Sequence, residues 1–148
     1  MPRVSYTVVT RANNAGKLTA AVHSAAARAV AATAENSQLI LREKILRGPK
    51  TGRVYTHGPQ PLPHQASAPG ESPANWTGAL QDSIRYQEVP GDGLTWAVVI
   101  GNQDGIADFL EHGTVRMAPR PFIEPSLPEI KELLTLSVEL AIREVTRG

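Results

Sequence analysis

The stretch Ile84 to Ile100, IRYQEVPGDGLTWAVVI, has the pattern of a β-hairpin. Two runs rich in β-branched and aromatic residues flank the turn PGDG at residues 90–93. Glycine reaches the positive φ angles that tight hairpin turns need, and Asp-Gly is a frequent pair in such turns. The stretch therefore predicts two antiparallel strands, Ile84 to Val89 and Leu94 to Ile100.

Two long helices are predicted on either side of this hairpin, and the first is rich in alanine. The run from Asn13 to Leu46 contains no proline, and Gly48-Pro49 ends it. Its small side chains would let a neighbour approach closely, either the sheet of the same chain or a second subunit. The apolar residues that fall near one helical stripe are Leu18, Val22, Ala25, Ala29, Ala32 and Leu39.

The second long helix is predicted to begin at a capping box made by Ser126 and Glu129. In a capping box the two side chains satisfy each other's backbone N–H groups, which fixes the start of the helix. The predicted buried stripe consists of Leu127, Ile130, Leu134, Val138, Ala141 and Val145.

Shorter elements complete the pattern. Val4 to Val9 predicts an edge strand, and Thr77 can cap a short helix through Leu80 and Ile84. A two-turn helix from Ile106 is ended by Gly113. The predicted fold class is α+β, with an antiparallel sheet packed by the long N-terminal helix and the C-terminal helix.

A long Pro- and Gly-rich segment, residues 48–75, interrupts this pattern. Six of the twelve prolines lie between Gly48 and Pro73, and only Arg53–Thr56 has the composition of a brief strand. Proline keeps itself and the preceding residue extended. Loops longer than about 12–15 residues are uncommon in compact domains unless they are functional or disordered. We therefore expect an extended arm that either moves in solution or is ordered by something outside the domain.

The composition is that of one soluble globular domain over residues 1–148, with 41% hydrophobic and 20% charged residues. The absence of cysteine excludes disulfides and thiolate chemistry. A net charge of +1 gives no electrostatic case for binding nucleic acid or a membrane. The sequence contains neither a run of about 18 apolar residues nor the pattern of a secretory signal, so a cytoplasmic protein is expected.

The residues that could carry chemistry do not form a recognisable constellation. Neither Ser67 nor Ser72 lies in a GxSxG motif, and no glycine-rich phosphate loop is present. We therefore predict no catalytic residue, metal site or cofactor. One alternative is a metal-dependent enzyme that uses the loop histidines. The four histidines, none of them in a zinc-ligand pattern, are His23, His57, His64 and His112.

One cluster of charge stands out near the end of the first helix. It consists of Arg42, Lys44, Arg47, Lys50 and Arg53. Basic residues there complement the helix dipole, and this interpretation is favoured. The other interpretation is contact with a phosphate backbone, so a small nucleic-acid-binding module remains a second alternative.

A further pair of charges is predicted to meet after the short helix. The extended run Arg120-Pro121-Phe122 would bring Arg120 back toward Glu111, and we expect a partly buried ion pair. The competing interpretation is an incidental surface pair, which contributes between zero and about 1 kcal/mol.

Four blocks of the sequence, taken in order, resemble a known family. They are HQASAPGESPA at residues 64–74, TGALQDSI at 77–84, FLEHGT at 109–114 and APRPFIEPSL at 118–127. Their order and spacing are similar to those of the small neck or tail-completion proteins of long-tailed bacteriophages, the gene-product-ten-like family. The chain departs from the family pattern at Ile106 and His112, where aromatic residues are expected.

The resemblance implies a structural role in the virion and no catalysis. Proteins of this family join the capsid to the tail in a ring around the DNA channel. For this chain it implies a homo-oligomeric ring of six-fold or twelve-fold symmetry, assembled in the bacterial cytoplasm. It also implies contact with a head-closure or connector protein and with a tail terminator protein, at most non-specific contact with DNA, and no membrane.

The site residues follow from this resemblance and from the Pro-rich segment. A ring interface is heterologous, and a Pro-rich arm suits it because such an arm loses less conformational entropy on docking. The predicted interface residues are His64, Gln65, Ala66, Ser67, Pro69, Gly70, Glu71 and Pro73. The predicted structural motif residues are Thr77, Gly78, Glu111, Gly113, Thr114, Arg120, Pro121 and Phe122.

Overall fold

The structure, a computed structural model, describes residues 5–9, 20–56, 62–89, 91, 95–100 and 106–147. The fold is α+β, as predicted. No helix in the described ranges is long and apolar enough to cross a membrane. In chain order the elements are β1 (Ser5–Val9), α1 (Ala20–Arg47), β2 (Val54–Tyr55), β3 (His64–Gln65), α2 (Ala79–Ser83), β4 (Ile84–Glu88), β5 (Thr95–Ile100), α3 (Ile106–His112), a 3-10 turn (Glu124–Ser126) and α4 (Leu127–Arg147).

The main sheet is antiparallel, with strand order β1-β5-β4. The predicted hairpin is confirmed, and its register pairs Ile84 with Ile100. Most of its predicted turn at residues 90–93 lies outside the described residues. β1 is at the edge of the sheet, as predicted, and a separate two-stranded ribbon pairs β2 with β3.

The helix α1 is the central element and packs against α4, β4 and β5. Most of its buried side chains are small, so these neighbours approach closely. The two buried hydroxyls bond within the helix: Thr33 Oγ1 donates to the Ala29 carbonyl at 2.8 Å and Ser37 Oγ to that of Thr33 at 2.7 Å. The buried residues of α1 are Ala25, Ala26, Ala29, Val30, Thr33, Ala34, Ser37, Leu41 and Ile45.

The predicted stripe on α1 is wrong in its second half. Ala32 and Leu39 are exposed, and Leu18 lies outside the described residues. Leu41 and Ile45 are buried instead. Apolar residues occur on several faces of this helix, so spacing alone does not select the face that packs.

The predicted capping box at the start of α4 is also wrong. The Ser126 hydroxyl donates to the Phe122 carbonyl at 2.7 Å, and the Glu129 carboxylate lies 3.9 Å from Lys44 Nζ. The chain enters α4 through a 3-10 turn, which changes the geometry that a capping box needs.

The predicted buried stripe of α4 is only partly buried. Ile130 is buried and Leu134 and Val138 are half-buried, but Leu127 is exposed. Leu136, which the stripe does not include, is more exposed than Leu127.

A cluster of buried apolar residues lies at the C-terminal end of α1. It joins that end of α1 to the start of β4, to α3 and to the segment before α4. The irregular segments around it are therefore brought close to one another. The cluster consists of Leu41, Ile45, Ile84, Ala107, Phe122 and Ile123, with Leu80 packed against it.

Candidate functional site

Three irregular segments, 48–53, 64–73 and 113–124, meet beside this cluster, and we call their meeting place the loop junction. The Gly70 amide donates to the Pro119 carbonyl oxygen at 2.9 Å, which links the second segment to the third. Most of the residues that the sequence singled out lie in or next to this junction.

The segment 64–73 lies against its own chain over much of its length. Beyond β3 the ladder continues, because the Ala66 amide donates to the Arg53 carbonyl and the Gly52 amide donates to the Ala66 carbonyl, both at 2.9 Å. The expected extended arm is therefore held to the domain by the segment before β2.

Burial divides the predicted interface residues into two groups. Ser67 is 3% exposed and Pro73 is fully buried, so these two residues pack against the domain beneath the segment and are not available to a partner. The exposed members are Gln65, Pro69 and Gly70, and the half-buried ones are His64, Ala66 and Glu71.

The Glu71 carboxylate ties the first two segments together. Oε1 accepts the Thr51 hydroxyl at 2.6 Å, and Oε2 accepts the amides of Thr51 at 2.9 Å and Ala68 at 2.7 Å. The bonds from Thr51, followed by the one from Ala68, hold the pKa of Glu71 below its ordinary value. Burial lowers the pKa of the nearby Lys50, and the charge of Glu71 partly offsets this.

The Glu111 carboxylate ties α3 to the start of α4. It is 6% exposed, and its Oε2 accepts the amides of Phe122 at 2.9 Å and Ile123 at 3.0 Å. Its Oε1 accepts the amide of Glu124 at 2.7 Å. The side chain thus supplies acceptors to three consecutive N–H groups where the chain enters the 3-10 turn.

The predicted ion pair between Glu111 and Arg120 is wrong. The Arg120 guanidinium donates instead to two backbone carbonyls, from Nε to Ser67 at 3.1 Å and from Nη1 to Ala118 at 3.2 Å. The Glu111 carboxylate accepts three backbone amides instead. Both charged side chains therefore bond to backbone groups rather than to each other. Arg120 nevertheless joins two of the blocks that carry the family resemblance.

A tight turn projects from the junction after α3. Gly113 has φ +76°, and a Cβ there would lie 2.7 Å from the Met117 carbonyl oxygen and 2.9 Å from Pro119 N, so a side chain does not fit. The Thr114 amide closes the turn on the Met117 carbonyl at 2.8 Å. Val115 at the tip is fully exposed.

Thr77 and Gly78 lie at the start of α2. Gly78 is the N-cap residue, and as a glycine it has no side chain that could cap the helix. Thr77 Oγ1 accepts the Ala79 amide at 3.4 Å, which is a weaker version of the predicted cap.

An aromatic stack lies beside the β2–β3 ribbon, and sequence reasoning missed its central residue, Trp76. The His64 ring lies parallel to Trp76 with centroids 4.6 Å apart, and Tyr55 stacks on Trp76 at 6.0 Å. The Arg53 guanidinium lies 5.3 Å from the Tyr55 centroid. A large apolar ring in a polar, Pro-rich segment is expected to pack against other side chains, so the tryptophan itself was the signal in the sequence for this stack.

An open groove of about 530 Å³ runs between the end of α1, the loop junction and the start of α4. Charges of both signs line it, with Lys44 beside Glu129 at 3.9 Å and Arg47 beside Glu43 at 3.0 Å. Pro121 also lines it. Such a mixed surface suits a polar protein partner better than a polyanion.

Other members of the predicted basic cluster are also engaged by their own chain. Arg42 Nη2 donates to the Ile84 carbonyl at 2.9 Å, and Lys50 Nζ donates to the Gly48 carbonyl at 2.6 Å. The cluster is therefore less available to phosphates than its sequence suggests.

Two of the histidines that were considered as ligands have separate partners in the structure. His112 Nδ1 is 2.9 Å from Asp108 Oδ1, whereas the ring of His64 stacks on Trp76. His57 lies outside the described residues. Among the residues that the structure describes, no group of three or more His, Asp or Glu is placed to hold a metal ion.

Comparison with known proteins gives no relative: no family model, curated protein or solved structure matches this chain.

Proposed function

We propose that this protein is a virion structural protein of a long-tailed bacteriophage, located at the head-to-tail junction. The observation that carries the proposal is that the first and the last of the four resembling blocks are bonded to each other in the loop junction. Arg120 in the last block bonds Ser67 in the first, and Gly70 bonds Pro119 across the same two blocks. Residues that are far apart in the sequence thus form one hydrogen-bonded unit, as expected for a motif that preserves a shape.

The charged side chains of these blocks support a structural role. Glu71, Glu111 and Arg120 each hold backbone groups of another segment. A general acid or base has to reach a substrate, whereas these groups are occupied in fixing loops.

The proposed assembly is a ring of six or twelve copies between a head-closure or connector protein and a tail terminator protein. The exposed part of the segment, Gln65, Pro69 and Gly70, would contact the neighbouring subunit, supported from beneath by buried Ser67 and Pro73. Because this surface is already ordered against its own domain, binding it would lose little conformational entropy.

Electron microscopy of particles made without this protein tests the proposal. We expect DNA-filled heads beside unattached tails, and restored joining when the wild-type protein is supplied. Normal joined virions in the absence of the protein would overturn it.

A nucleic-acid-binding module is the second candidate, and the aromatic stack is the observation that favours it. Tyr55, which stacks on Trp76, is exposed, and so is Arg53 beside the Tyr55 ring. Stacked aromatic residues next to a cation can bind bases. Binding to single-stranded DNA that weakens steeply with salt and is lost in Tyr55→Ala would favour this function. The metal-dependent enzyme is the weaker alternative, and its test is metal-dependent activity that His64→Ala removes.

A further inference from the structure

The turn after α3 presents an apolar side chain at its tip. Val115 and Arg116 are the two central residues of this turn; both are exposed, and Val115 is fully so. Tight turns favour glycine, proline, asparagine, aspartate and serine, each for a backbone reason that valine and arginine do not supply. A fully exposed valine also adds nothing to the packing of its own domain. The fold therefore does not explain the residues at the tip.

The backbone of this turn is fixed before any contact. The Thr114 and Met117 amides each donate to the carbonyl of the other residue, at 2.8 and 3.2 Å. The Thr114 hydroxyl accepts the Arg116 amide at 3.2 Å, and Gly113 at the base of the turn has no room for a side chain. A rigid projection loses little conformational entropy when it binds, so this turn is suited to enter a groove.

The groove between the end of α1, the loop junction and the start of α4 is large enough to take such a turn. Its volume of about 530 Å³ lies within the range of about 300–1,000 Å³ for pockets that enclose small ligands. Ile40, Pro121 and Pro125 give it apolar walls, and all its lining residues belong to the described part of the chain. Neither Val115 nor Arg116 lines it, so the turn and the groove are separate surfaces.

The charges of the turn and the groove are complementary. Arg116 places a positive charge beside Val115, whereas three carboxylates and two cations line the groove. These are the carboxylates of Glu43, Glu71 and Glu129 and the cations of Lys44 and Arg47.

The three carboxylates differ in how far they are engaged by their own chain. Glu71 accepts three donors, and Glu43 lies 3.0 Å from Arg47. Glu129 lies 3.9 Å from Lys44, and 58% of its side chain is exposed. Glu129 is therefore the carboxylate most available to an arginine from outside.

We propose that the turn of one copy of this chain inserts into the groove of the next copy, with Val115 between the apolar walls and Arg116 paired with Glu129. A projection and a pocket on separate surfaces of one chain make a heterologous contact, which forms a ring where the rotation closes. Gly70 lines the groove and also belongs to the surface proposed to contact the neighbouring subunit. The proposal thus rests on the proposed function and supplies both sides of the ring contact.

A pair of cysteines tests the contact in the full-length protein, because the chain contains no cysteine of its own. Val115→Cys combined with Ser72→Cys places one thiol on the turn and one in the groove. A short bismaleimide should link this variant into a ladder of covalent trimers and larger species, since each copy contacts two neighbours. A two-fold contact would stop at the dimer. Val115→Cys combined with Thr135→Cys, on the exposed side of α4, is the control and should remain mainly monomeric.

Charge reversal tests the ion pair. Arg116→Glu, added to the variant with thiols on the turn and in the groove, brings like charges together. It should raise the protein concentration needed for the ladder by about tenfold or more. Glu129→Arg added to that chain should restore the ladder, because it recreates an opposite pair.

The proposal is overturned if the turn-and-groove variant gives no larger species than its control, or only dimers, or if Glu129→Arg restores nothing. That failure would leave the proposed function standing as long as heads and tails stay unjoined without the protein. Joined virions in its absence would instead overturn the function, whatever the cross-links show.

Discussion

Replacing Glu111 by alanine should cause a large loss of stability, because three backbone N–H groups lose their acceptor together. These are the amides of Phe122, Ile123 and Glu124, at 2.9, 3.0 and 2.7 Å from the carboxylate oxygens. A hydrogen bond to a charged group contributes about 1.5–3 kcal/mol, and an unpaired buried N–H costs about 1–3 kcal/mol. The three bonds share one carboxylate and are not additive, so we expect the free energy of unfolding to fall by about 3–5 kcal/mol.

Urea unfolding followed by circular dichroism measures this loss, and the Tm should fall by roughly 10 °C for a chain of this size. Glu35→Ala is the matched control. Glu35 is exposed on α1 and has no ion pair or hydrogen bond with the described residues, so its removal should change stability by less than about 0.5 kcal/mol. The reasoning is refuted if Glu111→Ala lies within about 1 kcal/mol of that control, which is below the value of even one such bond.

Two further substitutions test the loop junction. Gly113→Ala places a Cβ 2.7 Å from the Met117 carbonyl oxygen. Gly70→Ala is the control, because Gly70 has a similar positive φ, +82° against +76°, and a Cβ there meets nothing within 4 Å. Gly113→Ala should lower the free energy of unfolding by at least about 1 kcal/mol more than Gly70→Ala, and equal losses would contradict the clash. Glu71→Gln should lower the Tm at neutral pH. The pKa of Glu71 is lowered from 4.5 in the folded state, so the ionised carboxylate stabilises the fold at pH values above 4.5. This contribution is lost as the pH falls below 4.5, so the difference in Tm between wild type and variant should shrink there; a constant difference would contradict it.

The parts of the fold that local chemistry specifies could be predicted from the sequence. The hairpin followed from β-prone runs around a Gly-rich turn, and the end of α3 followed from Gly113, which has φ +76°. In both cases the residues that decide the conformation are neighbours in the chain. A pattern of a few residues is then sufficient.

The face of α1 and the position of residues 64–73 could not be predicted in this way. Leu39 and Leu41 are both apolar, but only Leu41 meets the cluster around Phe122. The course of the segment depends on side-chain bonds across large sequence separations, such as that from Arg120 to Ser67. Composition indicates that such a segment is extended, but it does not indicate which carbonyl will accept a distant guanidinium.

The loop junction is held largely by polar contacts, and this affects how the protein would assemble. Side-chain groups of Glu71, Glu111 and Arg120 fix three segments that contribute few residues to the core. Ordering a segment costs conformational entropy of about 1–2 kcal/mol for each residue, and here folding already meets much of that cost. A partner would then meet a surface whose shape is set before contact, and its affinity would depend on complementarity rather than on ordering an arm. Polar support of this kind also lets the exposed residues of segment 64–73 vary without loss of the backbone path, because the groups that define the path lie beneath them.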